Sequence, residues 1–214
     1  GSNPFILPIP GKDLEGVIAY RDIADTDAMI DAAAKYQRAV VIGGGLLGLE
    51  AANGLMKRGM QVSVIHVMPT LMERQLDTVA GKMLQKSLEE RGMRFIMGGQ
   101  TQALIGDKDG GKAGRVMALQ FKDGTEIPTD LVVMAVGIRP NTELAEKMRL
   151  HVNRGIVVTD TMQTVTDARI YSVGECAAHR GIAYGLVAPL FEQGKVAANH
   201  LAMFGIGRYT GSLT

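Results

Sequence analysis

Cysteine is almost absent from this chain. Cys176 is the one cysteine in 214 residues, which excludes an internal disulfide, a Cys-rich zinc site and a Cys-ligated iron–sulfur cluster. An excess of one charge is lacking as well, because 23 Lys and Arg against 22 Asp and Glu leave a net charge of +1. Nothing in that balance attracts nucleic acid or an anionic membrane surface, and neither is an expected partner. No apolar run reaches the ~18 residues needed to cross a bilayer. No basic stretch followed by an apolar one stands at the N-terminus, so a cytoplasmic setting is expected. Aromatic residues are only 5%, but hydrophobic residues total 46%, enough for a sizeable core and against a disordered chain. What the chain has in excess is glycine, 27 of 214 residues, roughly twice the usual share of about 7%. The thirteen methionines are scattered and read as gap-filling residues, not a metal tract.

Residues 1–20 carry Pro4, Pro8, Pro10, Gly11 and Gly16 and read as an extended segment. Asp22 to Lys35 suits a helix with Asp22, Asp25 and Asp27 near its start. Arg38 to Ile42 reads as a buried parallel strand, Leu46 to Arg58 as a helix stopped by Gly59, and Gln61 to Val67 as the next strand. Leu76, Ala80, Met83, Leu84 and Leu88 recur at helical spacing up to Gly92, and Met93 to Met97 is a third strand. Val116 to Phe121 and Thr125 to Ile127 flank Asp123-Gly124, a dipeptide suited to a type I′ hairpin. Leu131 to Val136 is a strongly apolar strand, and Gly155 to Val158 and Ile170 to Val173 read as short strands. Val187 to Phe204 reads as a long helix, with Pro189 in its first turn and Gly205 after its end.

The strongest motif is Val40 to Glu50, VVIGGGLLGLE, which contains Gly43-x-Gly45-x-x-Gly48. A buried strand precedes it, a helix follows, and a second strand ends near His66, as a dinucleotide-binding βαβ unit requires. Gly43 permits the tight turn, Gly45 lets backbone approach a pyrophosphate, and Gly48 lets the helix pack close to the sheet. The helix-start amides at Leu46 and Leu47 then face the phosphates. At the end of the second strand an acid would bind the ribose 2′-hydroxyl of NAD, and an Arg would suit the phosphate of NADP. His66 stands there and is neither, while Arg74 lies downstream beside Glu73. A neutral His bonds a hydroxyl and a protonated one tolerates a phosphate; a partly buried strand-end His is the other reading.

GGGLLGLE, the meander that follows it, LVVMAVGIRPN and IYSVGE together resemble the two-dinucleotide flavoprotein reductases of the pyridine nucleotide-disulfide oxidoreductase superfamily. More narrowly, HVMPTLMERQLD, Leu131 to Thr142 and VGECAAHRGIAYGLVAPLFEQGKVAANHL resemble the large subunit of assimilatory NAD(P)H-nitrite reductases. That resemblance implies an α/β fold: a Rossmann-like NAD(P)H-binding domain at 35–137, inserted into an FAD-binding domain. Residues 1–34 would end the first FAD-domain segment and 138–214 would be the second. Since that domain should open with its own Gly-x-Gly-x-x-Gly and this sequence holds no second copy, an excised fragment is expected. The same resemblance implies FAD and NAD(P)H as cofactors. It puts sirohaem and an iron–sulfur cluster elsewhere in a parent reductase of nitrate assimilation, whose remaining domains would be this chain's partners.

The resemblance also implies roles. Glu175, on the turn begun by Gly174, would accept hydrogen bonds from flavin ribityl hydroxyls, for which a carboxylate offers two oxygens. The amides of Val187 and Ala188 would face the flavin pyrimidine edge from a helix start. Glu50 would lie near the nicotinamide carboxamide, and Gly137 where the chain crosses between domains beside cofactor. Hydride transfer needs no catalytic acid, base or nucleophile, and none is assigned. Cys176 has no partner thiol and reads as a small packing residue. His179 reads as a substrate or domain contact, or a loop residue. The alternatives are another flavin reductase, of the rubredoxin or ferredoxin type, or a nucleotide-binding regulatory module without turnover.

Overall fold

In the computed structural model, which describes residues 1–213, the apolar run at Val40 forms the centre of a parallel sheet. In chain order the elements begin with β1 (Ser2–Pro4), β2 (Val17–Ala19), α1 (Ile23–Lys35), β3 (Arg38–Ile42), α2 (Leu46–Lys57) and β4 (Gln61–His66). There follow α3 (Thr78–Glu89), β5 (Arg94–Met97), β6 (Thr101–Lys108), β7 (Ala113–Phe121), β8 (Glu126–Pro128) and β9 (Leu131–Met134). The last are β10 (Ile138–Pro140), α4 (Glu143–Lys147), β11 (Ile156–Val158), β12 (Ala177–His179), β13 (Ile182–Ala183) and α5 (Val187–Leu201). They fall into two compact units, Pro4–Gly137 and Gly1–Asn3 with Ile138 onward.

In the Pro4–Gly137 unit the sheet order is β2-β9-β3-β4-β5, every neighbouring pair parallel. Alternation along each strand divides its apolar side chains between two faces. Val41, Val64 and Val133 pack with Met29 and Ala32 of α1 and Ala51, Ala52 and Leu55 of α2. Val40, Ile42, Val132 and Met134 face the other way, onto Leu104, Val116, Leu119 and Phe121 of the antiparallel meander β6-β7-β8. The result is helices, parallel sheet and meander in three layers. Because both faces of β3 and β9 are covered, their sequences are continuous apolar runs, not alternating ones.

The expected boundary at 34/35 is not where the compact units divide. Residues 4–34 belong with the sheet: β2 pairs with β9 at the edge, and α1 packs beside α2. Residues 1–20, expected as an extended segment, supply two short strands. The Asp123-Gly124 turn is not type I′, which needs positive φ at both residues. Here Gly124 alone has it (φ 84°), and its amide donates to Phe121 O at 3.0 Å, closing a turn over residues 121–124. A type I turn closed by a left-handed glycine is the three-residue hairpin.

In the other unit, β11-β12-β13 form a small sheet, β1 pairs β10, and α5 packs through Ala197 against Val158, Met162, Tyr184 and Tyr209. Ile170–Val173, expected as a strand, makes only an isolated bridge between Tyr171 and Gln163, and the strand lies later, at Ala177–His179. α5 stops short of Phe204. Met203 takes a left-handed φ of 57°, and the amides of Met203 and Phe204 bond back to His200 and Asn199 carbonyls. This is a Schellman stop two residues before Gly205. Among the described residues no helix is long and apolar enough to cross a membrane, and no cluster of His, Cys, Asp and Glu is arranged to hold a metal ion.

Candidate dinucleotide site

The site in the Pro4–Gly137 unit lies where β3 ends and α2 begins. Parallel strands put all their carboxyl ends on one edge, and ligands of such sheets bind outside that edge. Gly43 has φ 119°, and a Cβ there would strike the carbonyl oxygen of Ala135, just past β9. A Cβ on Gly48 would strike the carbonyl oxygen of Gly43, so α2 approaches the strand this closely only with glycine at that position. Gly45 differs from both. It is the N-cap of α2, offers no side-chain cap to the first amides, and a Cβ built on it meets nothing within 4 Å. Leu46 and Leu47 are 44% and 42% exposed. Uncapped amides, the positive end of a twelve-residue helix and an open approach make an anion cradle that fits a pyrophosphate. Glu50 lies one turn further along α2, on its exposed face, and Gly137 is exposed with φ 105°.

Of the two readings of His66, the structure agrees with the buried strand-end histidine and not with a ribose contact: it is 7% exposed and both ring nitrogens are engaged within the chain. Its Nδ1 accepts the Gly44 amide at 3.1 Å, and its Nε2 lies 3.0 Å from Glu73 Oε2. With Nδ1 accepting, the proton sits on Nε2 and is donated to Glu73. The ring is therefore internal scaffolding of the glycine loop. Arg74 is exposed on the same segment.

The second unit carries the residues expected near flavin. Glu175 is 9% exposed, and its Oε2 accepts the Ser2 hydroxyl at 2.8 Å, so the carboxylate already serves a hydroxyl donor. Gly174 has φ 89°, and its amide donates to Oε1 of Gln193 at 2.9 Å. Val187 and Ala188 open α5, which has no side-chain cap at Leu186, and both are exposed. That helix start fits the electron-rich edge of a flavin on the same grounds as α2 fits phosphate. Sequence reasoning missed Gln193, which is fully buried at 0% with its amide nitrogen unpartnered. The signal was present: Pro189, Gln193 and Ala197 form the buried stripe of α5, and an uncharged polar residue on such a stripe calls for a partner.

His179 is not a loop residue. It lies in β12, 1% exposed, with Nε2 against Asp160 at 2.8 Å and its ring 4.8 Å from that of Tyr209. Arg180 closes on the same carboxylate through Nε at 3.1 Å and Nη2 at 2.8 Å. Arg180 first and His179 second hold the Asp160 carboxyl down at about 2. Cys176 is partly buried, and its Sγ lies 3.5 Å from Val173 O.

A Rossmann-like sheet with an open glycine loop in one unit, and a second uncapped helix start in the other, define a dinucleotide-binding reductase fold. The profile of the pyridine nucleotide-disulphide oxidoreductase family matches residues 1–200, and the chain belongs to that family. Its members bind FAD and NAD(P)H. The chain is 60% identical over 213 residues to the NAD(P)H nitrite reductase of Bacillus subtilis, covering 100% of this chain and 26% of that protein. It is 50% identical over 212 residues to the assimilatory nitrate reductase electron transfer subunit of the same organism, covering 99% of this chain and 27% of that one. Among solved structures, a ferredoxin reductase from Rhodopseudomonas palustris superposes with a TM-score of 0.90 at 26% identity, covering 100% of this chain and 52% of its own. The chain thus spans about a quarter of the length of these two curated relatives.

Proposed function

We propose that this chain is the NAD(P)H-binding part, with a portion of the FAD-binding part, of a nitrite reductase large subunit acting in cytoplasmic nitrate assimilation. The observation that carries the reading is the glycine loop at Gly43–Gly48, shut to side chains at Gly43 and Gly48 and open at Gly45. The 60% identity to the Bacillus nitrite reductase supports the choice of enzyme within the family. When bound, the nicotinamide ring supplies a hydride and FAD accepts it, with onward delivery to sirohaem and iron–sulfur centres in other domains of the parent. The residues of this chain bind and orient. The amides of Leu46 and Leu47 hold the pyrophosphate, and Glu50 stands toward the nicotinamide carboxamide. Glu175 takes ribityl hydroxyls, and Val187 and Ala188 present amides to the flavin pyrimidine edge. The cofactor-binding segments proposed are 1–34 and 138–214 for flavin and 35–137 for NAD(P)H, with residues 4–34 packed in the same compact unit as the NAD(P)H segment.

A second reading, an electron-transfer subunit serving a separate nitrate-reducing partner, is favoured by the 50% identity to the Bacillus subunit of that name. The two share the NAD(P)H half and differ in the electron acceptor. The test is a hybrid in which this chain replaces the corresponding region of the Bacillus nitrite reductase. It should carry flavin, oxidise NADH or NADPH with a dye, and reduce nitrite. A flavin-loaded hybrid that reduces the dye but not nitrite would favour the second reading, and one that oxidises neither nucleotide would refute both.

A further inference from the structure

We infer that Glu73, held by His66, is the residue that selects NADH over NADPH. This rests on the dinucleotide reading above. The end of β4 is where nucleotides are told apart by their 2′ group, and the side chain there, His66, is turned inward. The imidazole joins two segments that are distant in sequence. On one side Nδ1 receives the amide of Gly44, in the phosphate loop, and on the other Nε2–H reaches Glu73 Oε2 at 3.0 Å. The segment carrying Glu73 is docked on the same loop, since the Met72 amide bonds Gly44 O at 3.1 Å and Leu71 is fully buried. A Cβ on Gly44 would lie 2.6 Å from Leu71 and 2.9 Å from the His66 ring, so the contact depends on glycine there.

These bonds place a carboxylate one imidazole width outside the strand end. The Glu73 side chain is 32% exposed and that of His66 only 8%. One Glu73 oxygen is taken by His66, which leaves the other free of that bond to accept a ribose hydroxyl. A 2′-phosphate would meet the same carboxylate as a like charge. Arg74 is the rival, because a guanidinium beside the ribose would favour the phosphate. Its side chain is exposed, with none of the anchoring that fixes Glu73.

The test is calorimetric titration of the 214-residue protein with NADH and NADPH separately. The wild type should bind NADH at least about tenfold more tightly, the scale expected when a like charge faces the extra phosphate. Glu73→Gln should close that gap, chiefly by tightening NADPH, while Glu73→Asp, which keeps the charge, should leave NADPH the weaker ligand. Arg74→Ala should leave the ratio unchanged. Equal affinities in the wild type, an equal shift of both nucleotides in Glu73→Gln, or a change of preference in Arg74→Ala would each overturn the proposal. A folded wild type that binds neither nucleotide would remove the dinucleotide reading itself, a result distinct from any of these.

Discussion

Single positions in the glycine loop answer to different masters. A side chain at Gly48 has no room, so Gly48→Ala should lower stability by about 1–3 kcal/mol, the usual cost of overpacking, measured by urea unfolding. A side chain at Gly45 meets nothing in the protein, and the residue is in an extended conformation any residue adopts (φ −83°). Gly45→Ala should therefore unfold within a few tenths of a kcal/mol of the wild type. Asp160 offers a check by pH. Its folded carboxyl lies at about 2, against about 3.9 unfolded. The stability it contributes is present above the unfolded value and is lost as pH falls through the folded one. The Asp160 carboxyl resonance should titrate with a midpoint near 2, and a midpoint at the unfolded value would remove the His179 and Arg180 contacts from the account. The roles of the glycines were legible because backbone demands show in residue type. The Glu73–His66 and Gln193–Gly174 bonds were not, because each joins segments whose proximity only the folded chain creates.

Among the elements, those of the parallel sheet were the most legible. β3 and β9 are apolar runs, and α1 announces itself by its cap. The Asp22 carboxylate accepts the Asp25 amide while Asp25 reaches back to the Asp22 amide. Asp22→Ala should cost about 1 kcal/mol, read from the shift in the unfolding midpoint. β6 went unrecognised because Gly106 and flanking charges break its pattern, and three register shifts against β7 mark the irregularity. The hairpin at Gly124 and the end of α5 failed for one shared reason. Each is closed by a single residue with positive φ, and at α5 that residue is Met203, whose type gives no hint of it. The strand expected at Ile170–Val173 gives only Tyr171 to the core around Met162; the Ser172 amide bonds Met162 O without a ladder, and Val173 is exposed.

At the scale of the molecule, the Pro4–Gly137 unit is held by cores on both faces of one sheet, and Leu55 of α2, 1% exposed, belongs to the helical one. Leu55→Ala should cost about 2–5 kcal/mol by denaturant unfolding. The fold class was readable from the order of periodic segments, whereas the limits of the compact unit were not, since β2 joins its sheet from far upstream in sequence. The central claim is that this unit is a nicotinamide dinucleotide site built on the open helix start of α2. The most direct measurement is a calorimetric titration of NADH into the wild-type chain and into Gly45→Ala, both checked to be folded. One saturable site in the wild type, weakened at least about tenfold (about 1.4 kcal/mol) in the variant, is the predicted result. No saturable binding by the folded wild type, or undiminished binding by Gly45→Ala, would contradict it.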